Sequence, residues 1–346
     1  MAAKEKLGDY KPTRGLASGI GHKLILLLLT VWALFSIFSL LWVATTSLRT
    51  DQDLFNKPWG LPTTTVALDA SGSPIDSAKL AAMGPEERAG VTRVARFEPQ
   101  WKNYVIAWTI AKMGQYTANS VIVTLASVFF IVLISAMAAY SVAKSDFFGA
   151  KGLFYYFLGG LAVPASLLLV PLFMTLKDFN IRDFSLFAIG NWWLIHIKDF
   201  YLIDSRLGLI LIYTTLGIPF TVFVLTGFFR TLPTALAESA AVDGASEYTT
   251  FWRIYLPLAK PGLITVAIFN FLFVWNEYQF ALVFISNERL KTLPVGLYSL
   301  MLATQHSNNW TALFAGLVIL MLPTLLIFII LEDRITKGLT MGAIKS

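Results

Sequence analysis

The chain has 346 residues, of which 56% are hydrophobic and 14% charged, with a mean hydropathy of +0.65; this composition excludes an ordinary soluble domain and is typical of a membrane protein. Without cysteine there is no disulfide framework and no thiolate metal site, and three widely separated histidines predict no metal site of their own. The net charge of +6 comes without a basic run interleaved with aromatic residues, so we expect basic flanks on membrane helices and no nucleic-acid partner.

The first predicted element is the apolar segment at residues 24–48. Its length of about 25 residues exceeds the core of a signal peptide, and no small-residue cleavage site follows it. We therefore predict a first transmembrane helix. It is preceded by a predicted cytoplasmic N-terminus, residues 1–23, which carries the basic side chains Lys4, Lys6, Lys11, Arg14 and Lys23.

Further apolar segments of about 20 to 25 residues follow, each long enough to cross a hydrocarbon core of about 30 Å as a helix. The predicted fold class is therefore all-α, a polytopic membrane protein with six transmembrane helices in one domain, residues 24–346. The predicted spans are about 24–48, 120–142, 153–176, 209–229, 263–285 and 312–331.

Six spans place both termini on one side, together with the short 143–152 loop and the stretch 235–261. The basic N-terminus, the short loop and the tail, which carries Arg334, Lys337 and Lys345, favour the cytoplasm for this side. We therefore predict a multi-pass membrane protein with both termini cytoplasmic.

The opposite side receives two long loops. Residues 49–119 form a polar insertion of mixed charge, predicted to be extracytoplasmic and to be either a partner contact or a solvated loop. In the second loop, 177–208, the aromatic residues Trp192, Trp193 and Tyr201 predict an interfacial helix.

The stretch 235–261 lies between two apolar spans but is not apolar itself. Alanine-rich residues 235–242 predict a short helix, and Gly244 can adopt the positive φ of a sharp turn. Asp243 or Ser246 is expected to cap a second helix, residues 247–256, which the two prolines at 257 and 261 are expected to end. The pattern predicts a helix-turn-helix at the membrane surface.

This stretch resembles the EAA loop of the inner-membrane permease subunits of ATP-binding-cassette (ABC) importers. That pattern is E-A-A, three positions, G, nine positions and I-x-L-P, with Ser239 here in place of the first alanine. The residues in register are Glu238, Ala240, Gly244, Ile254, Leu256 and Pro257.

Other stretches resemble the carbohydrate-type branch of these permeases, which includes the second permease subunit of the maltose importer. They are residues 46–50, 58–62, Asn119–Ser120, 269–285 and the tail ITKGLTMGAIKS. Insertions within 63–98 and 183–203 depart from that branch, so the resemblance says least about the extracytoplasmic contacts.

The resemblance implies one half of a heterodimeric pore for a mono- or oligosaccharide, in a bacterial-type plasma membrane. Its implied partners are a second permease subunit, a cytoplasmic ATP-binding-cassette ATPase dimer, an extracytoplasmic solute-binding protein and membrane lipid. Because the chain has no P-loop motif, ATP and Mg²⁺ would be bound by the ATPase, and we expect no cofactor and no enzymatic activity in this chain. The residues implied to couple to the ATPase are Glu238, Ala240, Ala241, Asp243, Gly244, Ala245, Phe251 and Pro257.

A polar pair interrupts the predicted fifth span. Asn276 and Glu277 are costly inside a membrane unless they face a cavity or a partner. Trp275 and Tyr278 flank them, and aromatic faces stack well on sugar rings. These four residues are therefore either part of a translocation pathway or a polar anchor between helices that pairs with the second permease.

Two other functions fit a polytopic protein. An ion-gradient-driven secondary transporter of a small polar solute would need a dedicated intramembrane carboxylate or inverted repeats, and the sequence shows no repeat. A membrane scaffold or sensor would need a recognisable module outside the membrane, and the 49–119 insertion has no such features.

Overall fold

The computed structural model describes residues 16–69, 71–84, 88, 91–145, 147–177, 180–181, 184–189, 192–197 and 200–343. The chain divides into two compact units, residues 1–100 and residues 101–346.

The first unit begins with a long helix, α1 (Leu16–Thr46), whose apolar side chains are largely exposed; Trp32, for example, is 71% exposed. A helix that is apolar all round needs an apolar surrounding, as the prediction of a first span requires. The short helix α2 (Asp51–Asn56) follows and is capped by Thr50. The buried Arg49 side chain donates to the carbonyls of Pro58, at 3.0 Å, and Lys57, and so closes the loop around α2.

The rest of this unit is a small antiparallel ribbon with one helix. Strand β1 (Thr63–Leu68) pairs with β2 (Thr92–Phe97), with Thr63 opposite Phe97, and helix α3 (Ser77–Ala82) lies between them in the chain.

The second unit is helical. Its helices are α4 (Lys102–Val105, continued by a π-helical turn at Ile106–Ile110), α5 (Met113–Lys144), α6 (Ala150–Ala162), α7 (Leu169–Lys177), α8 (Arg206–Thr231), α9 (Ala235–Val242), α10 (Glu247–Thr250), α11 (Leu256–Leu258), α12 (Lys260–Asn276), α13 (Gln279–Phe284), α14 (Leu293–Ser307) and α15 (Trp310–Ala343). Short 3₁₀ turns at Ala165–Leu168 and Glu288–Leu290 and a π turn at Phe251–Tyr255 connect some of them.

The core of this unit is the packing of α5 against α8, with α12 on α5 and on α15. Small and hydroxyl side chains occupy the contact, as expected where helices approach closely in a membrane. At Gly217 an added Cβ would lie 2.6 Å from Cδ1 of Ile131 and 2.7 Å from Oδ1 of Asn270, so only glycine fits there. Next to it, the buried Asn270 amide donates to the Thr221 hydroxyl at 2.8 Å and ties α12 to α8.

The predicted fold class is confirmed. Four described helices are long and apolar enough to cross a membrane, and two bent helix pairs in the described chain would raise the number to six. The third predicted span, 153–176, is bent by 90° between α6 and the segment 165–177. Pro164 lies at the bend and cannot donate the backbone hydrogen bond that a continuous helix needs.

The fifth predicted span, 263–285, is not one continuous helix. Helix α12 ends at Asn276, and α13 begins at Gln279. The carboxylate of Glu277, between the two helices, caps the first turn of α13.

The prediction of an interfacial helix in the 177–208 loop is wrong. Strands β4 (Phe184–Ile189) and β5 (Trp192–Ile197) form an antiparallel hairpin there, flanked by the short pair β3 (Asn180–Ile181) and β6 (Phe200–Tyr201). Both long strands are rich in aromatic and β-branched residues, which favour strands, and only Gly190–Asn191 separates them.

Candidate functional site

The 235–261 loop has the predicted helix-turn-helix. Gly244 follows α9 with φ of +77°, the left-handed region that glycine adopts cheaply. The Ser246 hydroxyl accepts from the backbone N–H of Thr249 at 3.3 Å, so Ser246 rather than Asp243 caps α10. The second helix runs one residue past Pro257, to Leu258, and so ends between the two prolines that we expected to end it. The chain then bends by 74° into α12, and since Pro261 lies in the first turn of that helix, its missing N–H costs no hydrogen bond.

An aromatic cluster fixes this loop to the long helices. Phe251 and Tyr255 are buried, and their ring centroids lie 5.1 Å and 5.2 Å from that of Tyr140 on α5. Tyr140 in turn meets Phe229 of α8 at 5.9 Å. The Tyr255 hydroxyl donates to the carbonyl of Pro233 at 3.0 Å, which ties the second half of the loop to its entry. We call Tyr140, Phe229, Phe251 and Tyr255 the aromatic anchor.

Lys144 at the end of α5 adds to this attachment. Its ammonium group donates to the carbonyl of Leu232 and lies 5.4 Å from the centroid of the Tyr255 ring. Lys144 therefore holds the start of the loop to α5 by a hydrogen bond and its second half by a cation–π contact.

The predicted coupling residues divide into two groups. Phe251 and Ala240 are each only 5% exposed and face the protein. The others are exposed, apart from the half-buried Ala245: Glu238, Ala241, Asp243, Gly244 and Pro257. Phe251 therefore positions the loop and does not form part of its outer surface.

Sequence reasoning missed two apolar side chains at the turn. Val242 is 88% exposed and Tyr248 is 70% exposed, on either side of Gly244. Their signal in the sequence is two large side chains beside the glycine turn of a loop that has otherwise small or polar residues there. The exposed carboxylates of Glu238, Asp243 and Glu247 surround them. We call this surface, Glu238 with residues 241–248, the tip.

The second candidate region is the helix break after Asn276. One carboxylate oxygen of Glu277 accepts from the N–H of Phe280 at 3.0 Å, while the other accepts from the Tyr213 hydroxyl at 2.7 Å and from the N–H of Ala281 at 3.4 Å. Glu277 thereby caps α13 and ties it to α8. Of the two readings of this residue, the geometry matches the polar anchor, made within this chain.

Trp275 does not present the open aromatic face that a translocation pathway would require. It is 2% exposed, its indole N–H donates to the carbonyl of Leu320 at 3.0 Å, and its ring stacks on Phe271 at 5.6 Å and 12°. Trp275 thus packs α12 against α15.

Asn276 and Tyr278 instead border an open cavity of about 320 Å³. Tyr278 is 44% exposed, and its ring centroid lies 6.5 Å from that of Tyr298, which lines the same cavity. Aliphatic side chains of α14 and α15 complete the lining: Leu297, Met301, Leu313, Leu317 and Leu320. The cavity thus offers two phenol rings and one amide in an apolar wall.

A cluster of polar contacts fixes the 286–292 loop at the start of α5. The Asn119 amide donates to the carbonyls of Arg289 and Lys291, both at 2.9 Å, and accepts from the Arg206 guanidinium at 3.0 Å. The hydroxyl of Ser120 accepts from the N–H of Leu293 at 2.8 Å. Only the resemblance singled out Asn119–Ser120 in the sequence. In the structure these two side chains hold the 286–292 loop and the start of α14.

An ion pair lies beside this cluster. The Lys112 ammonium and the Glu288 carboxylate are 3.1 Å apart, both well exposed. The hydrogen bond from Lys112, followed by its charge, holds the pKa of Glu288 below its ordinary value.

Comparisons with known proteins agree with these features. The family model described as "Binding-protein-dependent transport system inner membrane component" matches residues 131–340. The diacetylchitobiose uptake system permease protein NgcG of Streptomyces coelicolor is 30% identical over 328 residues, which cover 95% of this chain and 89% of that protein. The trehalose transport system permease protein SugB of Mycobacterium tuberculosis is 34% identical over 66% of this chain and 75% of its own length.

A third relative is the melibiose/raffinose/stachyose import permease protein MelC of Bacillus subtilis, 29% identical over 70% of this chain and 80% of its own length. Among solved structures, a bacterial ABC transporter involved in the import of the acidic polysaccharide alginate has a chain with a TM-score of 0.64 and 18% identity. The match covers 93% of this chain and 99% of that chain, and at this identity it shows a shared fold.

Proposed function

Because the chain belongs to the family of binding-protein-dependent transport system inner membrane components, we propose that it is a permease subunit of an ATP-driven carbohydrate importer. Three of its relatives are named for the transport of diacetylchitobiose, of trehalose, and of melibiose, raffinose and stachyose, all of them carbohydrates. The proposed substrate is accordingly a mono- or oligosaccharide.

The proposed partners follow from the family. They are a second permease subunit, an ATPase dimer that binds ATP and Mg²⁺, and a solute-binding protein that delivers the sugar. In this arrangement the chain itself binds no nucleotide and catalyses no reaction, and both termini lie on the ATPase side.

One observation supports the coupling role: the 235–261 loop has an exposed tip and is attached to the long helices by the buried aromatic anchor. Val242 and Tyr248 project from a turn whose acidic rim suits a basic edge on the partner. Exposed apolar side chains at a rigid turn are typical of a surface that another protein covers. We therefore propose that the tip binds in a groove on the surface of the ATPase.

In this proposal the aromatic anchor connects the tip mechanically to α5 and α8. Displacement of the tip is transmitted through Phe251 and Tyr255 to Tyr140 on α5 and Phe229 on α8, and through the bend after Leu258 to α12. A packed cluster transmits a displacement because its atoms have no free space to absorb it. ATP binding to the partner would in this way shift the population between inward-facing and outward-facing forms.

For the translocation pathway we propose the cavity beside Asn276 and Tyr278, with Tyr298 as its second ring. Sugar rings stack on aromatic faces, and the Asn276 amide offers polar atoms to sugar hydroxyls. Trp275 and Glu277 shape this wall by holding α12 and α13 in place.

An ion-gradient-driven transporter fits the structure less well. Such a carrier needs a carboxylate free to bind its ion, whereas the Glu277 carboxylate already accepts from three donors.

The test is co-purification from the native membrane in mild detergent. We expect the wild-type chain to retain an ATPase that carries a P-loop and a second six-span permease, and Val242→Ser with Tyr248→Ser to lose the ATPase but keep the permease. Leu258→Ser is the matched control, since Leu258 is 46% exposed in the same loop but outside the tip. Retention of the ATPase by the double variant would contradict the docking surface, and recovery of the wild-type chain alone would contradict the assembly.

A further inference from the structure

A groove separate from the proposed sugar cavity lies between α6, α8 and α12. It encloses about 300 Å³, and most of its wall is apolar. The lining residues are Phe154, Phe223, Val224, Gly227, Phe228, Arg230, Gly262 and Thr265.

The shape of the groove depends on glycine. An added Cβ at Gly227 would meet no atom within 4 Å, so the space in front of this residue is open. The rings of Phe154 and Phe223, with centroids 6.3 Å apart, form an aromatic wall, and Phe223 is 44% exposed. The groove is thus an open apolar channel beside α8, which is long enough to cross a membrane, and beside α6 and α12, which each belong to a bent helix pair.

One end of this channel carries a cation. The Arg230 guanidinium lies 5.0 Å over the ring of Phe154, and no carboxylate within the described part of the chain lies within 4.0 Å of it. The Arg230 side chain is exposed, and an exposed guanidinium at a membrane surface attracts anionic headgroups. The Phe154 ring covers one side of the guanidinium, and the position of an anion on the other side is open.

Two further cations mark the same end. Lys151 lies in the first turn of α6 and Lys260 begins α12, and both are exposed. Both helix starts lie at the end of α8 that carries Arg230. Phe154, three residues after Lys151, lies under the Arg230 guanidinium, and Gly262, two residues after Lys260, lines the groove against the ring of Phe228. Each of the three helices around the groove therefore has a basic residue at one common end.

We propose that this groove binds one anionic glycerophospholipid. The phosphate lies at Arg230, with Lys151 and Lys260 beside it, and one acyl chain runs past Phe154 and Phe223 in front of Gly227. A cation at the membrane–water interface above an apolar channel matches this ligand in both charge and polarity. A soluble anion would leave the channel empty, and a zwitterionic lipid would bring its own cation next to Arg230.

Native mass spectrometry of the assembled transporter, exchanged with dioleoyl phosphatidylglycerol or dioleoyl phosphatidylcholine, tests this proposal. We expect one phosphatidylglycerol to be retained in preference to phosphatidylcholine. Arg230→Gln should weaken that retention about fivefold, the effect of one interfacial cation. Gly227→Leu should weaken it at least as much by filling the channel, with all three cations still present.

The chain offers matched controls for both variants. Gly159→Leu adds the same side chain at another helical glycine with open space, outside the groove lining. Arg253→Gln removes an exposed cation from the 235–261 loop, also outside the lining. Both should retain phosphatidylglycerol as the wild type does.

Equal retention of the two lipids, or retention unchanged by Arg230→Gln and Gly227→Leu, would overturn the proposal. Retention by the isolated chain that disappears in the assembled transporter would also overturn it, and would assign the groove to a contact between the permease subunits. None of these outcomes depends on which solute is transported, so the lipid site and the sugar-import proposal fail independently.

Discussion

The 235–261 loop and the break after Asn276 look alike in the sequence, since each places polar residues between apolar helices. In the structure, key side chains of the loop are exposed, whereas the key side chain of the break faces the protein interior. At the loop, Val242 and Tyr248 point outward while Phe251 and Tyr255 attach the base. At the break, Glu277 turns inward and meets three donors. A polar interruption is thus a candidate contact surface only where the tertiary structure leaves its side chains uncovered.

The largest expected effect comes from breaking the turn of the loop. Gly244 has φ of +77°, which proline cannot adopt. Gly244→Pro is therefore expected to abolish carbohydrate uptake while the protein stays in the membrane. Uptake of labelled sugar, with the amount of membrane-inserted protein measured in parallel, checks this.

Asparagine is the control at the same position. It tolerates the left-handed region, and an added Cβ at Gly244 meets no atom within 4 Å. Gly244→Asn should cost about 1 kcal/mol and keep most of the uptake. Normal uptake by Gly244→Pro would refute a coupling role for the turn.

The next effect comes from removing the aromatic anchor and leaving the tip intact. Tyr255 is fully buried, so Tyr255→Ala should destabilise the loop by about 3–5 kcal/mol, as for other large aromatic truncations. Its uptake should fall, while Tyr255→Phe, which loses only the hydrogen bond to Pro233, should cost about 1 kcal/mol. Thermal unfolding in detergent and uptake distinguish the two variants. Equal behaviour of Ala and Phe would mean that ring packing does not hold the loop.

A smaller effect is expected at the helix break. Glu277→Ala leaves the Tyr213 hydroxyl and the start of α13 without their acceptor, at a cost of about 1–3 kcal/mol. The variant should show lower thermal stability and altered uptake kinetics with unchanged ATPase co-purification. Glu277→Gln keeps one acceptor oxygen, so its thermal stability should lie between those of Glu277→Ala and the wild type. Lost ATPase binding in Glu277→Ala would show that the two regions are not separate in function.

The smallest effect concerns the exposed pair of Lys112 and Glu288. Because Lys112 lowers the pKa of Glu288, the folded form stabilises the carboxylate at pH values above the unfolded pKa. This contribution is lost as the pH falls through the lowered folded-state pKa. Glu288→Gln should therefore lower Tm slightly at neutral pH and not at all in strong acid. The same Tm difference at both pH values would contradict this account.

The sequence by itself determined the membrane class, the apolar segments and the turn in the 235–261 loop. Each depends on a property of neighbouring residues: the length of an apolar run, the φ freedom of Gly244, and a capping side chain at Asp243 or Ser246, of which the structure uses Ser246. The spacing of Phe251 and Tyr255 also places them on one face, because residues four apart lie side by side on a helix.

Only the tertiary structure decided which polar groups have hydrogen-bond partners and which aromatic rings are buried. Glu277 is satisfied by Tyr213, 64 residues away, and Asn119 by the carbonyl of Arg289, 170 residues away. The indole of Trp275 is covered by α15, and the groove at Arg230 exists because three helix ends meet. Burial and hydrogen-bond satisfaction are set by atoms from distant parts of the chain, so no local pattern of residues could predict them.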